Sequence, residues 1–161
     1  MSPTSVTFEG LHVDPGFDPL IEAIIGEFAA YFVPSGVLVY ANEAERYPCS
    51  DTEALTRFGV HLDAHDKLPD VVIHDTTRGW LFLVDAISSH GLMDNRRRNE
   101  LACLFADSSA GLVYVTAFPS RSSAGRYMTE IAWETEVWVA EAPTHLIHFN
   151  GSRFLGPYQH P

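Results

Sequence analysis

The sequence predicts an α/β layered domain, a mixed central sheet flanked by helices, on three observations. Apolar residues recur at helical spacing in separate segments, short runs between them are rich in β-branched and aromatic residues, and the two kinds follow one another along the chain. The order reads helix, three strands, helix, strand, helix, strand. At 161 residues, 46% hydrophobic and 19% charged, the chain suffices for one core and is short for two. It carries no fixed-period repeat and no low-complexity segment.

Residues 1–18 are expected to be irregular, punctuated by Pro15 and Gly16, with the domain proper over 19–161. Asp18 before Pro19 reads as an N-cap with proline at the first helical position. From there Leu20, Ile21, Ile24, Ile25, Phe28, Tyr31 and Phe32 predict a helix over 19–33, ended by Pro34-Ser35-Gly36. Residues 36–41 predict a strand, and 42–67 are polar and broken, with a candidate helix at 51–58. Two strands follow, 69–75 and 80–87, separated by Thr76-Thr77-Arg78-Gly79, the composition of a four-residue hairpin loop. Asp94 can cap a helix over 94–106 that buries Leu101, Leu104 and Phe105. A buried strand at 111–117, a helix at 122–133 and strands at 136–140 and 145–149 complete the prediction.

Charge sets the first functional limit. Ten basic residues against 21 acidic ones give a net charge of −11, the wrong sign for a surface that holds polyanions by charge alone. The distribution is uneven: residues 1–70 hold 12 acids and three bases, whereas residues 78–126 hold four acids and six arginines. A polyanion would approach the second half, and through guanidinium forks, since Lys67 is the sole lysine. No apolar run reaches the roughly 18 residues of a membrane span, and the first residues lack the pattern of a signal peptide. Cys49 and Cys103 are too few for a structural zinc site and form no disulfide framework. A cytoplasmic protein with no membrane role is the expectation.

The 70–87 hairpin yields a candidate site from register alone. A symmetric four-residue loop pairs 75 with 80, every later pair sums to 155, and Asp70 falls opposite Asp85. Opposed residues of an antiparallel pair share a face with Cβ atoms about 4.5–5.5 Å apart, where like charges repel. Asp85 also lies between the apolar run Trp80-Leu-Phe-Leu-Val84 and Ala86-Ile87, where an ionised side chain is costly unless paired or metal-bound. A hard divalent cation, Mg2+, would compensate both carboxylates. The alternative is that Asp85 is an isolated polar residue near a strand end.

Pro69-Asp70 followed by Asp85 on the neighbouring strand resembles the PD-(D/E)xK nuclease core. The strings Asp66-Lys-Leu-Pro-Asp-Val-Val72, Ser88-Ser-His-Gly91, Val115-Thr-Ala-Phe-Pro119, Glu130-Ile-Ala-Trp-Glu-Thr-Glu-Val-Trp138 and His148-Phe-Asn-Gly-Ser-Arg-Phe-Leu-Gly156 resemble, in order, the carboxy-terminal catalytic region of the BsuBI/PstI restriction endonucleases. The resemblance covers about residues 20–158. It implies a restriction-endonuclease-like α/β fold and Mg2+-dependent hydrolysis of double-stranded DNA within a restriction-modification system directed against phage. It also implies Asp70, Asp85 and the carbonyl of Ala86 as metal ligands. Its members point to cutting of the palindrome CTGCAG by a homodimer. They carry an additional amino-terminal domain, so a separate DNA-recognition domain or subunit is a candidate partner, and that recognition sequence does not transfer.

Two departures bear on chemistry. The superfamily's motif lysine would stand at Ile87, which leaves Lys67 and His90 as candidates to orient the attacking water. Where the family shows Gly-Asp-Thr after its first strand, this chain has Ala41-Asn42-Glu43, so Asn42 stands in the acid slot unless Glu43 substitutes. Glu22 and Glu27 are further accessory candidates. Arg96, Arg97 and Arg98 begin the helix after the hairpin and are expected to face DNA phosphates, with pairing to Glu100 or other acids as the alternative. Arg121 is a further phosphate candidate, and Trp133 and Trp138 are expected to serve core or hinge packing rather than base stacking. The leading reading is the catalytic domain of a type II restriction endonuclease. The competing one is a catalytically weakened nuclease-fold module that binds DNA or a partner subunit.

Overall fold

The structure, a computed structural model, describes residues 6–8, 11–13, 18–42, 53–61, 67–88, 91–149 and 157. Six strands form one mixed sheet in sequential order: β3 (Gly36–Ala41), β4 (Val71–Asp75), β5 (Trp80–Ala86), β6 (Gly111–Phe118), β7 (Thr135–Val139) and β8 (Leu146–Phe149). The outer pairings are antiparallel, while β5, β6 and β7 run parallel. Two short strands, β1 (Val6–Phe8) and β2 (Leu11–Val13), pair antiparallel within the segment expected to be irregular.

The first helix begins as the sequence predicts, with the Asp18 carboxylate accepting the Leu20 amide at 2.9 Å and Pro19 in the first turn. It is not uniform, however. α1 (Pro19–Ala23) passes through a π-helical turn (Ile24–Phe28) into α2 (Ala29–Phe32). The helix lays Ile21, Ile24 and Phe28 on one sheet face against Phe82, Val84, Val115 and Trp138. On the opposite face, α4 (Asn95–Leu104) and the short α3 (Glu53–Thr56) set Leu101, Phe105 and Leu55 against Val72, Leu81, Leu83 and Tyr114. Helices thus cover both faces, which is why β5 is apolar at nearly every position rather than alternating. A smaller cluster around Phe118, Val137 and Phe149 packs against α5 (Arg121–Gly125).

Two further expectations need correction. The helix predicted over 122–133 stops after Gly125 and gives way to turns. Its apolar residues serve another purpose: Ala132 donates its amide to the Met93 carbonyl, tying the segment to the start of α4. Trp133, expected in core or hinge packing, is 70% exposed and so is no core residue, whereas Trp138 is fully buried with its ring edge-on to Phe28.

Candidate active site

The hairpin register is the one that the loop length predicts. Asp75 pairs with Trp80 and Val71 with Val84, so the β4–β5 ladder sums to 155 throughout. The turn closes through the Asp75 carboxylate, which accepts the Thr77 and Arg78 amides and the Arg78 guanidinium, while Gly79 takes a φ of +69°. Burial pushes the Asp75 carboxyl up, but the side-chain and backbone bonds from Arg78 outweigh it and hold the group below the usual range.

Asp70 lies one residue before β4 and Asp85 one residue before the end of β5. Both are fully buried. On β5, Leu81 and Leu83 face α4 whereas Phe82 and Val84 face α1, so alternation directs Asp85 to the α4 side. Val72 faces the same side, which places Asp70 there too. Asp70 accepts the Ala86 amide at 2.8 Å and the Asn42 side-chain amide at 3.2 Å. The acid of one strand is thereby fastened to the residue beside the acid of the other. Its charge, after burial, also holds the neighbouring Tyr40 phenol protonated beyond the usual range.

Asn42 reaches Asp70 because β3 is bulged. Leu38 pairs with Ile73, but Tyr40 pairs with Val72, so Val39 is the extra residue. The slip turns Tyr40 toward the α4 face and brings Asn42 level with Asp70, whose carbonyl accepts the Asn42 amide at 2.7 Å. Glu43 lies outside the described residues, as does His90.

The three consecutive arginines separate. Arg97 stands four and eight residues before Leu101 and Phe105, on the stripe that α4 turns inward. Its guanidinium grips both oxygens of Asp85 at 2.6 and 3.1 Å and the carbonyls of Lys67 and Leu68 at 3.0 and 3.1 Å. Arg97 is 8% exposed and cannot serve as the phosphate contact expected of it. Arg98 pairs with Glu134 at 2.5 Å, the one non-glycine residue with positive φ among those described, and lies over the Tyr114 ring. Arg96 reaches outward to Glu100 at 3.0 Å. Sequence spacing contains the signal for Arg97, because an i, i+4, i+8 series through two core residues marks an inward position.

Lys67 is exposed and lines a cleft of about 350 Å³ with Asp94, Arg96, Arg97 and Glu100, beside the carboxylates. Ala86 is level with Ala117 on β6, so α5 begins at the same sheet end as the two acids. Arg121 stands at that helix start, exposed, its amide bonded to Glu141 at 2.6 Å. Glu22 and Glu27 are buried on the opposite face, in the first helix. The Asp18 cap links that helix to the site's rim through Ser88, at 2.5 Å.

Among the described residues no three His, Cys, Asp or Glu side chains cluster as a metal site. The donor set still suits a hard cation. Asp70 and Asp85 bring two buried carboxylates to one face at one end of the sheet, and carboxylate oxygen is the donor type that a hard cation takes.

Comparison with known proteins shows the family. The family model for the BsuBI/PstI restriction endonuclease domain matches residues 9–152. The chain belongs to the BsuBI/PstI restriction endonuclease family. It is 54% identical over 151 residues to the type II restriction enzyme BsuBI of Bacillus subtilis, covering 92% of this chain and 48% of that enzyme. It is 31% identical over 144 residues to the type II restriction enzyme AplI of Arthrospira platensis, covering 84% and 44%. The solved structure of SdaI restriction endonuclease superposes with a TM-score of 0.74 at 38% identity, over 98% of this chain and 51% of that one. The chain therefore spans about half the length of the relatives it matches. No described helix is long and apolar enough to cross a membrane.

Proposed function

We propose that this chain is the catalytic domain of a type II restriction endonuclease, hydrolysing phosphodiester bonds of double-stranded DNA in the cytoplasm with Mg2+. The observation that carries the proposal is the pair of buried carboxylates, Asp70 and Asp85, at one end of the sheet and on one face. Asp70, Asp85 and the Ala86 carbonyl would hold the cation. Bound there, Mg2+ would offset charge building on the phosphate and lower the pKa of the attacking water. The protein's own contribution is placement: the Asp70 bond to the Ala86 amide fixes one carboxylate against the other strand. Arg96 at the cleft and Arg121 at the same end of the sheet are exposed forks suited to phosphates, and Lys67 or His90 orients the water. The relatives' longer chains support a further DNA-recognition domain or subunit, and a homodimer is what the family resemblance implies.

A second reading is favoured by two observations: Asn42 stands where the family shows an acid, and Arg97 already neutralises Asp85. On that reading the chain is a weakened module that holds DNA or a partner subunit. Incubation with plasmid and Mg2+, against chelator and against Asp70→Asn, separates the two. Cleavage lost in both controls supports the nuclease. Intact plasmid together with Mg2+-independent DNA binding supports the module.

A further inference from the structure

Trp133 carries the largest apolar side chain among the described residues that lie exposed, yet the chain around it is firmly held. Just before it, Ile131 and Ala132 turn inward, and the Ala132 amide donates to the Met93 carbonyl at 2.9 Å. Just after it, the Thr135 hydroxyl donates to the Ala132 carbonyl at 2.7 Å and the Glu134 amide donates to the Phe149 carbonyl. Glu134 itself is kept at a φ of +62°, a left-handed backbone that costs a non-glycine residue, and the Arg98 guanidinium pins its carboxylate. The fold thus accepts strain to hold an indole in water, where burial would have stabilised it. This mount leads back to the carboxylates. The Met93 amide donates to the Thr116 hydroxyl at 2.9 Å, and Thr116 lies beside Asp85 on the neighbouring strand. The path from Asp85 to Trp133 is roughly 15 Å, on the scale of the major groove of duplex DNA, about 12 Å wide. It runs on the α4 side of the sheet, where both acids face.

We propose that Trp133 contacts the DNA duplex beside the cutting site, packing its indole against sugars and base edges and adding non-ionic affinity to the charge contacts of Arg96 and Arg121. This rests on the reading of the chain as a DNA-cutting domain. The surroundings favour DNA over a protein partner. One ring beside exposed Arg126, Thr129 and Glu130 offers far less apolar area than the several hundred Å² of a protein-docking patch. An aromatic ring near guanidinium groups is instead the composition of a nucleic-acid contact. In a chain of net charge −11, residues 119–133 hold two arginines against one acid, so a polyanion can come close there.

The test is binding of sheared plasmid DNA across salt concentrations, in Ca2+ and again in chelator, joined to acrylamide quenching of tryptophan fluorescence. Trp133→Ala is expected to weaken binding roughly tenfold or more while leaving the slope of affinity against salt unchanged, because no phosphate contact is lost. Trp133→Phe keeps a ring and is expected to stay within about threefold of the wild type. The quenchable emission missing from Trp133→Phe belongs to Trp133, and DNA is expected to shield it in the wild type. Since the side chain is exposed, Trp133→Ala should melt within about 3 °C of the wild type. Unchanged affinity in Trp133→Ala, a shallower salt slope, or an indole as open to acrylamide with DNA as without it overturns the inference and leaves the nuclease reading standing. Shielding that grows with protein concentration in the absence of DNA means that a second copy covers the ring, and overturns it too. Failure of the wild type to bind DNA in either condition overturns the nuclease reading and the inference with it.

Discussion

Replacing Asp85 with Asn affects stability as well as chemistry, and the structure sets the size of the effect. The exchange conserves volume but removes the charge opposite a guanidinium that is 8% exposed. Breaking a buried ion pair by altering one partner costs about 3–5 kcal/mol. Here the loss falls at the lower end, because the carboxamide oxygen of the new side chain can still accept one N–H and the Lys67 and Leu68 carbonyls still hold Arg97. A value of about 3 kcal/mol lowers the melting temperature of a domain this size by roughly 6–12 °C. The assay is thermal unfolding followed by circular dichroism in chelator, so that metal binding adds nothing. Combining the change with Arg97→Gln closes a double-mutant cycle, and a coupling of about 1–3 kcal/mol is expected. A melting temperature within about 2 °C of the wild type, or additive single effects, would refute the argument that this pair is buried and coupled.

Other expectations concern separate parts of the molecule. Replacing Arg96 and Arg121 together with Ala should weaken DNA binding and flatten its salt dependence by roughly 0.9 log units for each phosphate no longer neutralised, read from binding isotherms across salt concentrations. Asp75→Asn should cost about 1–3 kcal/mol near neutral pH through the loss of turn bonds and the Arg78 pair. Since the folded Asp75 carboxyl is depressed, its stabilisation is present above the ordinary aspartate value near about 4 and is lost as pH falls through the folded value. The melting gap between wild type and variant should therefore narrow in acid. Trp138→Ala should cost about 3–5 kcal/mol by opening a cavity against Phe28, measured by denaturant unfolding.

The parts legible in sequence are those governed by local rules. Loop length alone sets the hairpin register, which runs to Val71 against Val84 and leaves Asp70 and Asp85 next in line, and proline after aspartate marks the first helix start. What escapes depends on packing between distant segments. Arg96, Arg97 and Arg98 are chemically alike, and only docking of α4 on the sheet decides that Arg97 faces Asp85. The segment after Gly125 has helical spacing, yet its backbone serves Met93 and its Trp133 side chain faces solvent. Asn42 is legible as a departure from the family pattern, but its bond to Asp70 depends on a bulge that no residue type announces.

That bulge also bears on how copies of the chain can meet. β3 forms one edge of the six-stranded sheet, and Val37 there is 55% exposed. A regular edge presents an even row of unpaired N–H and C=O groups onto which another strand can add. With Val39 out of step, the hydrogen-bonding phase of residues 36–38 does not continue into residues 40–41, so an incoming straight strand can match one half or the other. The slip that aligns Asn42 with Asp70 thus guards the same edge against sheet-to-sheet growth, and it steers self-association toward surfaces other than this strand.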